Sequence, residues 1–160
     1  MATVHQNTTT IHLDEVPSAK GLSFGIAVSE WNTEITENLF KGAHDLLVAK
    51  GALPEQIKRV SVPGSFELIY GSKLLQNKEV NAVIAIGSVI QGETKHFDFV
   101  CHATASGIKD LNVQGEVPVI FCVLTDDTLQ QAQDRSGGKL GNKGTEAAIA
   151  AIKMARLQTI

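Results

Sequence analysis

Residues 82–87 read AVIAIG, an unbroken run of apolar and small residues. A strand with one wet face alternates polar with apolar positions; a run this continuous suits a strand covered on both faces, the condition of a parallel sheet. Three other runs share its character: LSFGIAV at 22–28, IKRVSV at 57–62 and PVIFCVL at 118–124. Each is short, rich in β-branched residues and bounded by Gly, Pro or Asn, which marks strands between turns.

Helical spacing fills the intervals. After Asn32 or Thr33, either a plausible N-cap, Ile35, Leu39, Ala43, Leu46 and Leu47 fall on one stripe, and Gly51 supplies a stop. A second helix is expected over 66–76 behind Ser65 as N-cap. A third carries Phe97, Val100, Cys101, Thr104, Ile108 and Leu111 on one side. A short one follows Asp127 with Leu129 and Ala132 facing inward, and TEAAIAAIKMARL (145–157) closes the chain as a strong helix former. Strand and helix in strict alternation give right-handed crossovers and an α/β fold, a three-layer α/β/α sandwich around a four-stranded parallel sheet.

The chain has 160 residues, 43% of them hydrophobic, enough for one domain with a real core. Residues 1–20 are polar, lack periodicity and contain Pro17, so they read as a flexible arm ahead of a domain at 21–160. A net charge of −3 argues against a nucleic-acid partner, which would favour a dense basic face. No apolar run approaches the roughly 20 residues that cross a bilayer, and MATVHQNTTT lacks the apolar stretch of a secretory signal. A cytoplasmic protein is expected. Cys101 and Cys122 sit in apolar segments, FVCHA and IFCVL, where reduced thiols pack as small hydrophobes. His102 adjoins Cys101, but without a CxxC or a second ligand pair no metal is expected.

Ligands of parallel α/β sheets sit beyond the carboxyl ends of the strands. Here those ends are Ser29–Asn32, Val62–Glu67, Ser88–His96 and Thr125 onward, where Trp31, Glu67, His96 and Arg135 stand out. In GETKHFD (92–98) His96 begins a helix. Histidine titrates near neutrality and suits proton transfer, although it also serves to cap or pack. Asp98 reads as a first-turn dipole partner. DRSGGKLGNKG (134–144) sets Arg135, Lys139 and Lys143 on a glycine-rich backbone whose N–H groups can approach an anion, or it is a solvated hinge. It is neither a Walker A loop nor a GxGxxG turn. VPGSFE (62–67) is ordinary helix-start chemistry, with free N–H groups that could also bind hydroxyls or a carbonyl. Trp31, the sole tryptophan, stands at a strand end where a flat ring could stack on it.

In this order and spacing, SEWN (29–32), VPGSFE (62–67), AIGSVIQGETKHFDFV (85–100), PVIFCVLT (118–125) and DRSGGKLGNKGTEAA (134–148) resemble the lumazine synthases of riboflavin biosynthesis, from about Phe24 to Leu157. The resemblance implies a flavodoxin-like fold and a cofactor-free condensation of 5-amino-6-(D-ribitylamino)uracil with 3,4-dihydroxy-2-butanone 4-phosphate. The products are 6,7-dimethyl-8-ribityllumazine, phosphate and water. By position it implies that Trp31 stacks on the pyrimidine, that Ser65, Phe66 and Glu67 hold the ribityl chain, and that Ser88, Val89 and Ile90 line the ring bordered by Phe121. Glu93 and Thr94 would contact the butanone phosphate, His96 would transfer protons, Arg135 would bind phosphate, and Lys143 would lie beside them. Trp31 stands where Phe is usual and Phe66 where Trp or Tyr often stands, and both exchanges keep an aromatic ring.

The resemblance further implies an active site between neighbouring subunits of a pentamer, with Arg135 and Phe121 from one chain and His96 from the next. Higher assemblies, including a sixty-chain icosahedral shell, and riboflavin synthase as a partner belong to the same expectation. GGKLGN between the last two helices is of the kind seen in shell formers. The rival readings are a flavin-binding module without catalysis and a purely shell-forming subunit. SEWNTEIT fits the phosphate loop of the former poorly.

Overall fold

The computed structural model describes residues 13–157. It is an α/β fold: β1 (Phe24–Ser29), α1 (Thr33–Ala49), β2 (Ile57–Val62), α2 (Leu68–Gln76), β3 (Ala82–Ile90), α3 (His96–Gln114), β4 (Val119–Asp126), α4 (Leu129–Arg135), a short hairpin of β5 (Ser136–Gly138) and β6 (Gly141–Asn142), and α5 (Lys143–Leu157). β1 to β4 form one parallel sheet in the order β2-β1-β3-β4.

Strand alternation sends side chains to two separate cores. Phe24, Ile26, Ala82, Ile84 and Ile86 face α1 and α5 and are buried with Leu39, Leu47, Ala148 and Ile152. Ala27, Val83, Ala85 and Val123 face α2 and α3, against Leu68, Leu75 and Ile108. The predicted α1 stripe, Ile35, Leu39, Ala43, Leu46 and Leu47, is buried throughout, and Gly51 ends the helix with φ +101.

Several expectations change. β2 is an edge strand with Lys58, Arg59 and Ser61 exposed, not a strand covered on both faces. Arg59 leaves the strand to pair with Glu37 and lie 4.4 Å over the Phe40 ring of α1. α2 starts at Leu68, and Ser65 is not its side-chain cap; residues 65–67 form a preceding turn in which the Leu68 N–H donates to Ser65 O. Leu129 is half exposed because Ala132 and Asp134 form the buried side of α4. Cys122 is buried as expected, and its thiol is pushed up to about 12 by that burial. Cys101 is only partly buried. Of the expected arm, residues before 13 lie outside the described ones. Val16 and Ala19 join the main core, and the Ala19 N–H donates to Lys50 O at 2.8 Å, so packing begins ahead of Leu22.

The glycine-rich segment is a docked hairpin, not a hinge. Asn142 Nδ2 donates to Asn38 O of α1 at 2.9 Å, and Asn142 Oδ1 accepts from the Gly144 and Thr145 N–H groups at the head of α5. That cap starts α5 two residues before the predicted Thr145. At the hairpin base, Asp134 accepts from Gln130 Nε2 and lies 3.0 Å from Lys139 Nζ. Lys139 and then Gln130 hold the Asp134 carboxyl below its ordinary value. A depressed folded pKa gives stability that is present above the unfolded value, near 4, and lost as pH falls through the lower folded value. Thermal midpoints of the native chain and Asp134→Asn should therefore differ at neutral pH and converge as pH falls below the ordinary carboxylate range. Curves that stay parallel would refute the linkage.

Candidate active site

Between β1 and β3 the crossover direction of the chain reverses, and a crevice opens beyond the strand ends at such a reversal. It is a cavity of about 610 Å³ lined by Trp31 and Asn32 after β1, Gly64, Ser65, Phe66 and Glu67 after β2, Ser88, Val89 and Ile90 at the end of β3, Gly92 and Thr94 in the approach to α3, and His96, Phe97 and Val100 in its first turns.

Local chemistry fixes each wall. Asn32 adopts a left-handed conformation, φ 57, and makes no side-chain cap. Its Nδ2 instead donates to Ser88 O at 2.9 Å, tying the end of β1 to β3. β3 runs three residues beyond the predicted AVIAIG, so Ser88, Val89 and Ile90 are held by strand pairing to Leu124, Thr125 and Asp126. Gly87 lets the β2–α2 turn lie close: a Cβ there would come within 2.6 Å of Ser65 Oγ and 2.9 Å of Leu68 Cδ1. From the other side the buried Thr104 hydroxyl donates to Ser65 O at 3.3 Å. Ser88 Oγ is buried with no hydrogen-bond partner among the described residues, a cost that folds usually avoid.

On this fixed frame sit exposed aromatic groups. Trp31 is 72% exposed and Phe66 53%, so neither ring is occupied by core packing. His96 is the first residue of α3 and is exposed, its N–H donating to Thr94 Oγ1 at 3.3 Å. Asp98 lies in that first turn, as a dipole partner would. Phe97 and Val100, predicted as part of the α3 core stripe, are only partly buried and line the cavity. Their place one turn into a helix that begins at His96 is the signal that could have assigned them.

Four predicted site residues do not line this cavity: Glu93, Phe121, Arg135 and Lys143. Glu93 is exposed on the loop beside it. Phe121 pairs with Ala85, three strand residues before Ser88, or roughly 10 Å back along the sheet, and is 43% exposed. Arg135 ends α4, where Nη1 donates to Gln131 O at 3.0 Å and lies 3.5 Å from Asp126 Oδ1. Lys143 Nζ donates to Glu146 at 2.8 Å. With Lys139 on Asp134, each of the three cations predicted to cradle an anion has a carboxylate of its own.

A family model for 6,7-dimethyl-8-ribityllumazine synthase matches residues 21–159. The chain belongs to this family. Among similar lumazine synthases, that of Flavobacterium johnsoniae is 60% identical over 159 residues, spanning 99% of this chain and 84% of the relative. That of Christiangramia forsetii is 59% identical over 160 residues, 99% and 95% of the two chains. The lumazine synthase of Porphyromonas gingivalis is 53% identical over 161 residues and covers both chains completely. Among the described residues no helix is long and apolar enough to cross a membrane.

Proposed function

We propose that the cavity beyond β1 and β3 is one half of the site at which this enzyme of riboflavin biosynthesis condenses 5-amino-6-(D-ribitylamino)uracil with 3,4-dihydroxy-2-butanone 4-phosphate. Membership of the lumazine synthase family carries the activity. The observation that supports the location is the meeting of Trp31, Ser65–Glu67, Ser88–Ile90, Thr94 and His96 around one opening. In this reading the pyrimidine stacks on Trp31 and rests against Ser88, Val89 and Ile90, with its ribityl chain along Ser65, Phe66 and Glu67.

The amine attacks the ketone and loses water to form an imine, elimination of phosphate leaves an enol that tautomerises to a second carbonyl, and attack of the ribitylamino nitrogen on that carbonyl closes the ring with loss of a second water. Each step moves protons, which suits His96 at the mouth. Departure of phosphate calls for a cation, and Arg135 can meet it with charge-assisted hydrogen bonds, with Glu93, Thr94 and Lys143 nearby. Because Phe121, Arg135 and Lys143 are absent from the cavity of a single chain, the reading places them in the site of a neighbouring copy. That is in keeping with a site shared between copies; a pentamer, decamers or an icosahedral shell built from it, and an association with riboflavin synthase in the cytoplasm extend the proposal.

Absorbance at the lumazine band, followed with both substrates while sedimentation velocity reports assembly, tests both parts. Activity should track the assembled fraction. No product would favour the flavin-binding or shell-only readings, and turnover by lone chains would remove the shared site. Trp31→Ala should raise the KM for the pyrimidine about tenfold, since stacking a base on an aromatic side chain contributes about 1–3 kcal/mol. Its exposed ring supports no core, so stability should move by no more than about 0.5 kcal/mol. An unchanged KM would take Trp31 out of the ring site. Riboflavin added to the native chain should quench the fluorescence of this sole tryptophan.

A further inference from the structure

Asp126 is a charged residue with no part in the chemistry above. It is the last residue of β4, only 5% exposed, and it is held rigidly: its carbonyl accepts from the Gln91 N–H at 2.9 Å and its backbone pairs with Ile90. Its carboxylate is poorly satisfied for a buried group. Oδ1 lies 3.5 Å from Arg135 Nη1, and Oδ2 has no hydrogen-bond partner among the described residues. Burial pushes this carboxyl up from its ordinary value against the pull of Arg135, with Asp127 adding to the rise. A buried charge so placed is retained at a cost unless its neighbour needs it.

That neighbour is Arg135. The guanidinium has five N–H donors in a planar fork. Nη1 is directed inward, to Gln131 O at 3.0 Å and towards Asp126. Both of these contacts are made by Nη1, and Nε and Nη2 take no part in them. These two nitrogens form one edge of the fork, the geometry that binds two oxygens of a phosphate at once.

We propose that Asp126 is the positioning residue of Arg135: it holds the inner edge of the guanidinium so that the Nε–Nη2 edge is the one offered to the phosphate group of the substrate. The proposal rests on the reading of Arg135 as the phosphate ligand. Asp126 itself does not touch substrate. A strand-end carboxylate anchored by β3 and β4 fixes the direction of a side chain that a seven-residue helix would otherwise leave free to rotate.

The test is a double-mutant cycle read by steady-state kinetics on the assembled enzyme. Asp126→Ala should raise the KM for the phosphorylated substrate about tenfold, a size expected for groups in contact, and leave the KM for the pyrimidine unchanged. In the Arg135→Ala background the same substitution should add less than about twofold, because its effect passes through the arginine. Asp126→Asn keeps the shape and an oxygen for Nη1, so it should restore most of the loss, to within about threefold of the native value. It also carries the cycle if the alanine variant fails to assemble, with a small rise expected in the native background and none without Arg135. A flat KM in both Asp126 variants overturns the proposal, as does an equal rise with and without Arg135. If Arg135→Ala alone leaves the KM unchanged, the phosphate reading fails first and takes this proposal with it, an outcome distinct from a failure of Asp126 alone.

Discussion

Arg135→Ala is expected to raise the KM for 3,4-dihydroxy-2-butanone 4-phosphate about a hundredfold while leaving that for the pyrimidine within about twofold. A hydrogen bond to a charged group contributes about 1.5–3 kcal/mol, and a two-oxygen contact from the free guanidinium edge would supply two, part of which water would replace. Ten- to hundredfold steps correspond to about 1.4–2.8 kcal/mol. The turnover number should fall as well, because the charge on phosphate matters most as it departs. His96→Ala should do less, lowering kcat by about ten- to a hundredfold, at or below the low end of acid–base contributions. Holding two substrates together can supply roughly 7–11 kcal/mol, and that part survives the loss of an imidazole. Steady-state kinetics with each substrate varied in turn separates these effects. A butanone-phosphate KM unmoved by Arg135→Ala would remove that residue from the site.

The largest stability effect is expected at Gly144. A Cβ there would overlap the carbonyl oxygen of Leu39 and come within 2.6 Å of its carbonyl carbon and 2.9 Å of Asn142 Oδ1. Two of these obstacles are backbone of α1, which cannot swing aside like a flexible side chain. Around this contact α5 presents Ala147, Ala148, Ala151 and Ala155, all buried, so the two helices touch through small residues. Gly144→Ala must push α1 and α5 apart or break the Asn142 cap, at about 3 kcal/mol by the usual cost of overpacking. For a chain of this size that lowers the thermal midpoint by roughly 6–12 °C. Gly92→Ala is the control, since its Cβ would meet nothing within 4 Å. Scanning calorimetry of both variants decides it; equal midpoints would show that the helices part freely.

Unbroken apolar runs made the sheet legible, and a single stripe made α1 legible, because burial on both faces leaves its mark on every residue of a segment. The edge character of β2 was concealed by Ile57, Val60 and Val62, which fit a central strand, although Lys58 and Arg59 carried the contrary sign. Asn32 read as a cap because capping is local, whereas its bond to Ser88 spans 56 positions. The same limit applies to DRSGGKLGNKG. Glycines and cations are visible in order, but the pairing of Arg135 with Asp126 and of Asn142 with α1 depends on how α4 folds back. Trp31, the Ser65 turn and His96 were legible as a candidate site because the strand-end rule selects them, and in the structure they line one cavity. Where Phe121 and Arg135 would act could not be read from the order of residues, because the proposed reading assigns them to the site of a second copy.

The charged rim of β2 limits what can add to the sheet at that edge. An exposed strand edge invites a foreign strand to add to the sheet, and lysine or arginine along that edge makes such addition unfavourable. With Lys58 outward and Arg59 folded over Phe40, growth by endless sheet extension is disfavoured on that side.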